Sequence, residues 1–428
     1  MHFSIDMLLG RVLLFFGFVT VFAIRVSPWL LIQISDIFGF YKSRLAKSIP
    51  VMSALLRLTT GLVAVSSLAS AAVEIGHGRI ESSVEARADY DSNIFANSGE
   101  VSDEIFTLTP EVHYIRDQGI FTTNLGVGVN LVRFSDHASQ DSEDPYFSGR
   151  IAYSPSDKAL LTSDVGIKRT SQADDTLNAR VTSNDYTYNG LFQYLFSEKL
   201  GYRLTANYDL NDYRTAGYSD VEAYTVGIDG VYVYSPKLTA LAGFSYGQSK
   251  TTNRAAGHGD PASQDFRYSA GLEGELAPKV TGTVRAGLVN RQFDNSGFHD
   301  ATGIFLATGL KWVATQKTSF TLDASNDFGT TAGDQSSKTF TISLGIKQAL
   351  SEKLSLDGGV GYDHANYTAS GALSGRTDDS ESARIRLAYT FTPVWSADVS
   401  AGYRHTESTL AISTYDRITY GVGVTARF

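Results

Sequence analysis

The chain has 428 residues, a net charge of −9, 39 glycines and no cysteine, and only 19% of its residues are charged. Absence of cysteine excludes a disulfide scaffold and any thiolate-ligated metal, and charge spread without basic blocks leaves no footprint for nucleic acid. With 23 tyrosines, 24 phenylalanines and few long apolar runs, the composition favours an all-β chain over a set of soluble mixed domains.

Two apolar stretches open the chain. Met7 to Ile34 is broken only by Arg11, Arg25 and Pro28 among its main interruptions, and it is long enough for a membrane helix. The preferred reading, over a real anchor, is that translation starts at Met52 and residues 1–51 are a start-site artefact. Residues 52–71 have the layout of a secretory signal: Arg57 in a basic n-region, a short apolar run from Leu58 to Leu68, and Ala69-Ser-Ala71 as an A-x-A cleavage site. Cleavage after Ala71 leaves 72–79 as a short periplasmic lead. Fold reasoning therefore starts at residue 80.

From there to residue 428 one pattern repeats. Leu200, Tyr202, Leu204, Ala206, Tyr208 and Leu210 alternate with Arg203, Thr205, Asn207, Asp209 and Asn211. Phe340 to Lys347 and Trp395 to Arg404 alternate in the same way. Strict period two means strands with one dry and one wet face. A soluble sandwich also has such faces, so the connections must discriminate. Tight turns at 116–119, 154–158, 197–199, 235–237, 277–279, 315–317, 351–353 and 392–394 alternate with longer polar connections. The longer ones fall near 94–102, 135–144, 171–182, 214–220, 252–263, 294–300, 329–336, 368–381 and 408–414. Short turns on one rim and longer loops on the other are the signature of an outer-membrane barrel. The count predicts an all-β fold: a transmembrane antiparallel up-and-down β-barrel of about 18 strands with both termini periplasmic. Its strands run roughly 11–16 residues, enough to cross a bilayer at a tilt.

Aromatic placement agrees. Tyr224, Tyr232 and Tyr234 bracket Val226 and Ile228 on one outer face, while Tyr186, Tyr188, Phe192, Tyr194 and Phe196 share another. Aromatics at strand ends with aliphatics between them suit two interfacial girdles.

The first strand ends in Asp89-Tyr-Asp-Ser-Asn-Ile-Phe95, followed by Ser102-Asp-Glu-Ile and Leu108-Thr-Pro-Glu-Val112. This order resembles the opening of the putative beta-barrel porin 2 family, over about residues 80–428. The resemblance implies a porin-like outer-membrane barrel. It further implies a link to exopolysaccharide production and export, with which several members are associated. It places no catalytic residue and no cofactor.

The chain closes on Thr419 to Phe428, with Tyr420, Val422, Val424, Ala426 and Phe428 on the dry face. A terminal strand ending on Phe is expected to be the signal read by the barrel-assembly machinery.

On the wet faces, the pore wall is expected to include Arg203, Asp209, Arg285, Arg291 and Asp323, and on later strands Lys347, Arg384, Arg386, Asp398 and Arg404. The two signs are about balanced, so the wall is mixed rather than ion-selective; cross-strand pairing of these charges is the blander reading. Arg384 and Arg386 are the best local candidates for a basic track. Gly126, Gly128, Gly243, Gly247, Gly359, Gly361, Gly421 and Gly423 are expected to leave bare backbone on the wall and so widen the bore. The histidines His77, His113, His137, His258, His299, His364 and His405 are scattered over loops and strand ends and sit in no nucleophile motif, so no enzyme is expected. Gln140 to Asp144 and Asp174-Asp175 read as solvated acidic loops; the calcium or lipopolysaccharide-bridging alternative lacks EF-hand spacing.

Three functions compete: a passive conduit for secreted exopolysaccharide, a general small-solute porin, and a structural or adhesive surface barrel. No connection exceeds about 14 residues, so no single long loop is available to narrow the channel that 18 strands would leave. An open lumen and the conduit reading are therefore preferred. The expected partners are outer-membrane lipid, lipopolysaccharide, the assembly machinery and periplasmic polysaccharide-export proteins.

Overall fold

Period-two alternation makes strands, and a bilayer leaves strands only one arrangement without unpaired edges, a closed ring. The computed structural model describes residues 73–428 except 255, 256 and 372. The extension expected over 1–51 and the signal segment over 52–71 lie outside the described residues. A short strand, β1 (Val73–Ile75), precedes β2 (Gly78–Asp91), β3 (Asp103–Arg116), β4 (Phe121–Phe134), β5 (Ser142–Ser156) and β6 (Ala159–Asp174). There follow β7 (Ala179–Leu195), β8 (Leu200–Tyr213), β9 (Asp220–Ser235), β10 (Leu238–Thr252), β11 (Ser263–Ala277) and β12 (Val280–Phe293). The chain continues with β13 (Ala301–Val313), β14 (Thr318–Thr330), β15 (Ser336–Ala349), β16 (Leu354–Tyr367), β17 (Arg376–Thr390), β18 (Trp395–Ser408) and β19 (Tyr415–Arg427).

Each strand from β2 pairs antiparallel with the next, and β19 returns to β2 from Thr419↔Asp91 to Arg427↔Ser83. The ring β2–β19 therefore closes on 18 strands, as the turn count predicts. The seam is finished by the last residue. Phe428 donates its N–H to the Ser82 carbonyl at 2.8 Å, and Ser82 donates to the Phe428 carbonyl at 3.0 Å. β1 pairs with the start of β2 through Val73↔Ile80, Glu74↔Arg79 and Ile75↔Gly78.

The ring strands β2–β19 run from 13 to 17 residues, slightly longer than expected, and several loops are shorter. The connection placed at 171–182 shrinks to 175–178, and 368–381 shrinks to 368–375. The reason is that Ser, Thr and Asp near these turns stay in the ladder: Ser171 pairs with Thr182 and Asp174 with Ala179. Polar composition does not end a strand when the backbone still finds a partner. Pro236, Pro278 and Pro393 lie in short turns as expected. Pro110 sits inside β3, where the β3–β4 pairing lapses between Leu108↔Leu131 and Glu111↔Gly128, because proline has no N–H to donate.

The outer face of β9 shows the bilayer pattern in one strand. Val226 and Ile228 are 49% and 51% exposed, flanked by Tyr224 towards the longer loops and by Tyr232 and Tyr234 at the short-turn end. Val112, Leu204, Leu288, Ile304, Leu344, Val360 and Ile385 extend the apolar band around the ring. Such a contiguous apolar belt belongs against lipid rather than water.

Candidate functional site

With the aliphatics outside, the alternate residues line the interior, and most of their charges are mutually neutralised. Arg203 meets Glu273 through two hydrogen bonds of 2.7 and 3.1 Å. Arg285 holds Asp229 at 2.6 and 3.1 Å. Both pairs join strands that are not neighbours in the ladder, a reach available only on the concave side. Arg267 joins Asp327 and Asp265, and Arg291 holds Asp265 at 2.7 Å through both Nε and Nη2. Lys347 lies 3.6 Å from Asp357, and Arg404 lies 3.0 Å from Asp175 and 3.6 Å from Asp363. Asp209, Asp323 and Arg384 have no ion pair among the described residues. The proposed Arg384–Arg386 track is thus reduced, since Arg386 is tied to Asp398 at 2.7 Å.

Asp398 is the node of the seam. Its carboxylate accepts from Arg386 on β17 and, at 3.0 Å, from Arg87 on β2, while its own side chain is 2% exposed. Arg87 also reaches Ser400 Oγ and Asp89. Asp398→Asn keeps the shape but removes the charge shared by two guanidinium groups. The expected loss is on the order of 2 kcal/mol, read as a lower temperature for conversion of the compact gel band to the unfolded one.

The wall glycines do something other than widen the bore. A Cβ on Gly421 would collide with the Asp89 carboxylate and the Arg87 guanidinium, and one on Gly243 would collide with Asp229. A Cβ on Gly128 would enter the Tyr146 ring. These glycines make room for long interior side chains to lie flat along the wall, where hydrogen bonds hold them.

The mouth at the longer loops is where the structure departs most from expectation. Two hairpins fold inward. The β6–β7 tip, residues 175–178, turns on Asp174, whose Oδ1 accepts from Thr176 N and Oγ1 and from Leu177 N. The β14–β15 tip, residues 331–335, turns on Thr331, whose carbonyl accepts from Asp334 N at 3.0 Å. Each tip carries an Asx residue in the left-handed region, Asn178 at φ 53° and Asp334 at φ 58°, a conformation those side chains tolerate. In the ring the two hairpins are eight strands apart one way and ten the other, so they face each other.

The β6–β7 tip is pinned to the far wall, and the β14–β15 tip to the stretch of wall and loops between β8 and β12. Arg376 on β17 donates to the Thr176 carbonyl at 2.6 Å, and Arg404 on β18 meets Asp175. Asn178 donates to Ser413 Oγ at 2.7 Å, and Asn97 donates to the Asn178 carbonyl. Opposite, Arg291 donates to the Gly329 carbonyl at 2.7 Å and to Ser336 Oγ at 2.9 Å, beneath the Phe328 ring. Ser219 donates its N–H to the Ala332 carbonyl and its hydroxyl to Asp334, and His258 Nδ1 lies 2.9 Å from the same carboxylate. The tips also touch each other: a Cβ on Gly333 would lie 3.8 Å from Leu177 Cδ2. Tyr218 stands in this cluster, where burial and then the Asp174 charge raise its pKa, keeping it a neutral hydroxyl. A cavity of about 210 Å³ lies below the β14–β15 hairpin, lined by Asp209, Asn211, Thr225, Ser249, Arg267 and Arg291 among others.

Five histidines pair with carboxylates: His113 with Glu111, His137 with Asp103, His258 with Asp334, His364 with Asp379 and His405 with Asp416. In the Ser219–Asp334–His258 set the carboxylate is in the middle, and the serine hydroxyl donates to it. A nucleophile relay needs the imidazole between serine and acid, so this set holds loops rather than activating a hydroxyl. Asp175, read as a solvated acid, is instead an ion-pair partner.

Of the ten expected wall residues, Arg203, Arg285, Arg291, Lys347, Arg386, Asp398 and Arg404 make ion pairs, and sequence alternation named all seven. It misses Asp265, Asp327, Arg376, Arg417 and the two Asx tips. Gly333-Asp334, a sequence that favours a left-handed turn residue, was the legible signal for one of them. The opening motif also folds inward: Asp91 takes Arg417 at 2.6 Å, Asn93 donates to the Asn97 and Asp416 carbonyls, and Ile94 is fully buried.

The family model described as putative beta-barrel porin 2 matches residues 70–428. No curated protein matches the chain. Among solved structures, it is similar to Pseudomonas aeruginosa OccK3 (OpdO), at 15% identity and TM-score 0.44, covering 82% of this chain and 95% of that one. It is similar to the P. aeruginosa siderophore receptor PirA at 10% identity and TM-score 0.43, covering 83% and 81%. It is also similar to P. aeruginosa OpdK, solved with vanillate, at 10% identity and TM-score 0.42, covering 82% and 99%.

Proposed function

The chain belongs to the putative beta-barrel porin 2 family and is a porin-like barrel of the bacterial outer membrane; on that premise we propose that it is a passive, non-enzymatic conduit for a secreted exopolysaccharide. The observation that carries this reading is the neutralised wall. With Arg203, Arg285, Arg267 and Arg291 each held by a carboxylate, the interior offers a cargo chiefly hydroxyls and amides such as Thr205, Asn207, Thr225, Ser245 and Ser269. Such a wall exchanges hydrogen bonds with sugar hydroxyls and selects weakly for ionic charge. In this reading the short-turn rim faces the periplasm, where an export protein delivers the polymer, and the longer loops face lipopolysaccharide outside.

The crossed mouth favours a second reading, a small-solute porin. One experiment separates the two. A deletion strain is expected to lose secreted polymer while growing normally on small solutes, with secretion restored by the wild-type gene. Normal secretion with impaired uptake of one nutrient would overturn the conduit and support the porin. For either cargo, planar bilayers should show weak cation-over-anion preference.

A further inference from the structure

The mouth is crossed by parts that are individually short. Neither the β6–β7 tip (175–178) nor the β14–β15 tip (331–335) is a long constriction loop, yet they arise on opposite walls and meet. The ladder shows how one of them gets there. β13 and β14 pair only from Leu306↔Asn326 to Val313↔Ser319. Beyond Asn326, β14 leaves β13 and stays with β15 alone, up to Thr330↔Ser336. The freed end tilts over the bore, and Arg291 from β12 holds it by the Gly329 carbonyl. On the opposite side Arg376 and Arg404 hold the other tip through Thr176 and Asp175.

The seat is polar. Its buried members include Ser219, Asp334, Asn178, Ser413 and Ser336, and the contacts between them are hydrogen bonds. Among the described residues, Asp334 Oδ1 and Asn178 Oδ1 are buried without a hydrogen-bond partner. A buried acceptor left unpaired opposes the closed arrangement, whereas hydration or a hydroxylated cargo would satisfy it. An apolar seal would have neither property.

The geometry points to these two hairpins as a displaceable cross-bar that sets the size limit of the pore. The inference goes beyond the conduit reading and does not depend on it, because it concerns what limits passage and leaves the cargo open. Leu177 and Gly333 are where the halves meet; Arg291, Arg376 and Arg404 are the positioning residues.

The test uses the full-length barrel in planar bilayers, with uncharged polyethylene glycols of graded size as probes. Replacing 331–335, 175–178 or both by the two-residue turn Asn-Gly, which matches strand twist, removes the bar. The doubly shortened barrel is expected to conduct at least about twofold more than wild type, towards the open bore of a barrel of this strand number, and to admit larger glycols. Second, the chain has no cysteine, so Leu177→Cys with Gly333→Cys creates one isolated thiol pair. A short bis-maleimide, to whose two C=C bonds the two thiols add, is expected to lower the glycol size limit below that of the uncross-linked double variant. Should the shortened barrels fail to fold, the cross-link decides alone. Wild-type conductance and size limit in folded shortened barrels would overturn the proposal, as would a cross-linked barrel with an unchanged size limit.

Discussion

Deleting Phe428 is expected to abolish most folded protein in the outer membrane. The residue closes the ring: its N–H and carbonyl complete the last pair with Ser82, next to Arg427↔Ser83. Deletion removes those hydrogen bonds together with the aromatic ring. Phe428→Ser separates the two effects, since its backbone still pairs. If the ring is the part read by the assembly machinery, together with Tyr420, Val422 and Val424 on the same face, the serine variant refolds in detergent at near wild-type yield. In cells, however, its folded fraction falls severalfold. Heat-modifiable gel mobility reports both. Wild-type folded yield of the serine variant in cells would sink the assembly role, and wild-type refolding of the deletion would sink the closure argument.

The second large effect is expected at Arg291. This side chain is 2% exposed and makes four hydrogen bonds, two to Asp265, one to Gly329 O and one to Ser336 Oγ. Arg291→Met leaves Asp265 buried with only Arg267, at 3.1 Å, as an ionic partner. Breaking a buried pair from one side costs about 3–5 kcal/mol; the remaining Arg267 contact puts the expectation near the lower end. Adding Asp265→Asn removes the uncompensated charge, so the double variant should be more stable than Arg291→Met alone despite carrying one more substitution. Urea midpoints of the barrel in lipid vesicles would measure both. A single variant within about 0.5 kcal/mol of wild type would show that the pair contributes little. The loss of the Gly329 contact also frees the β14–β15 hairpin, so larger conductance should accompany lower stability.

The nature of the barrel was legible because each of its determinants is local. Alternation along β8 or β17 decides which face of that strand is apolar. A tight turn such as 236–237 decides which rim it belongs to. Neither needs knowledge of a distant residue, so the strand number, the antiparallel ladder, the closing strand at Phe428 and the aromatic girdles could be read from the chain. The interior sign balance was also local, since Arg203 and Asp209 are on one face by period alone.

What the tertiary structure decided is which of those interior groups meet. Arg285 and Asp229 are separated by 56 positions and Arg376 and Thr176 by 200. Those distances become contacts only after the ring closes, because curvature brings non-adjacent strands together inside and spreads them outside. The glycines show the same limit. Seen singly, Gly421 is bare wall; beside β2 it is the space occupied by Arg87 and Asp89. The mouth shows it most fully. A five-residue tip at 331–335 is too short to cross a wide bore from an upright wall, and loop length alone implied an open lumen. The crossing depends on β14 leaving β13 beyond Asn326 and on a matching hairpin opposite, both properties of the closed ring.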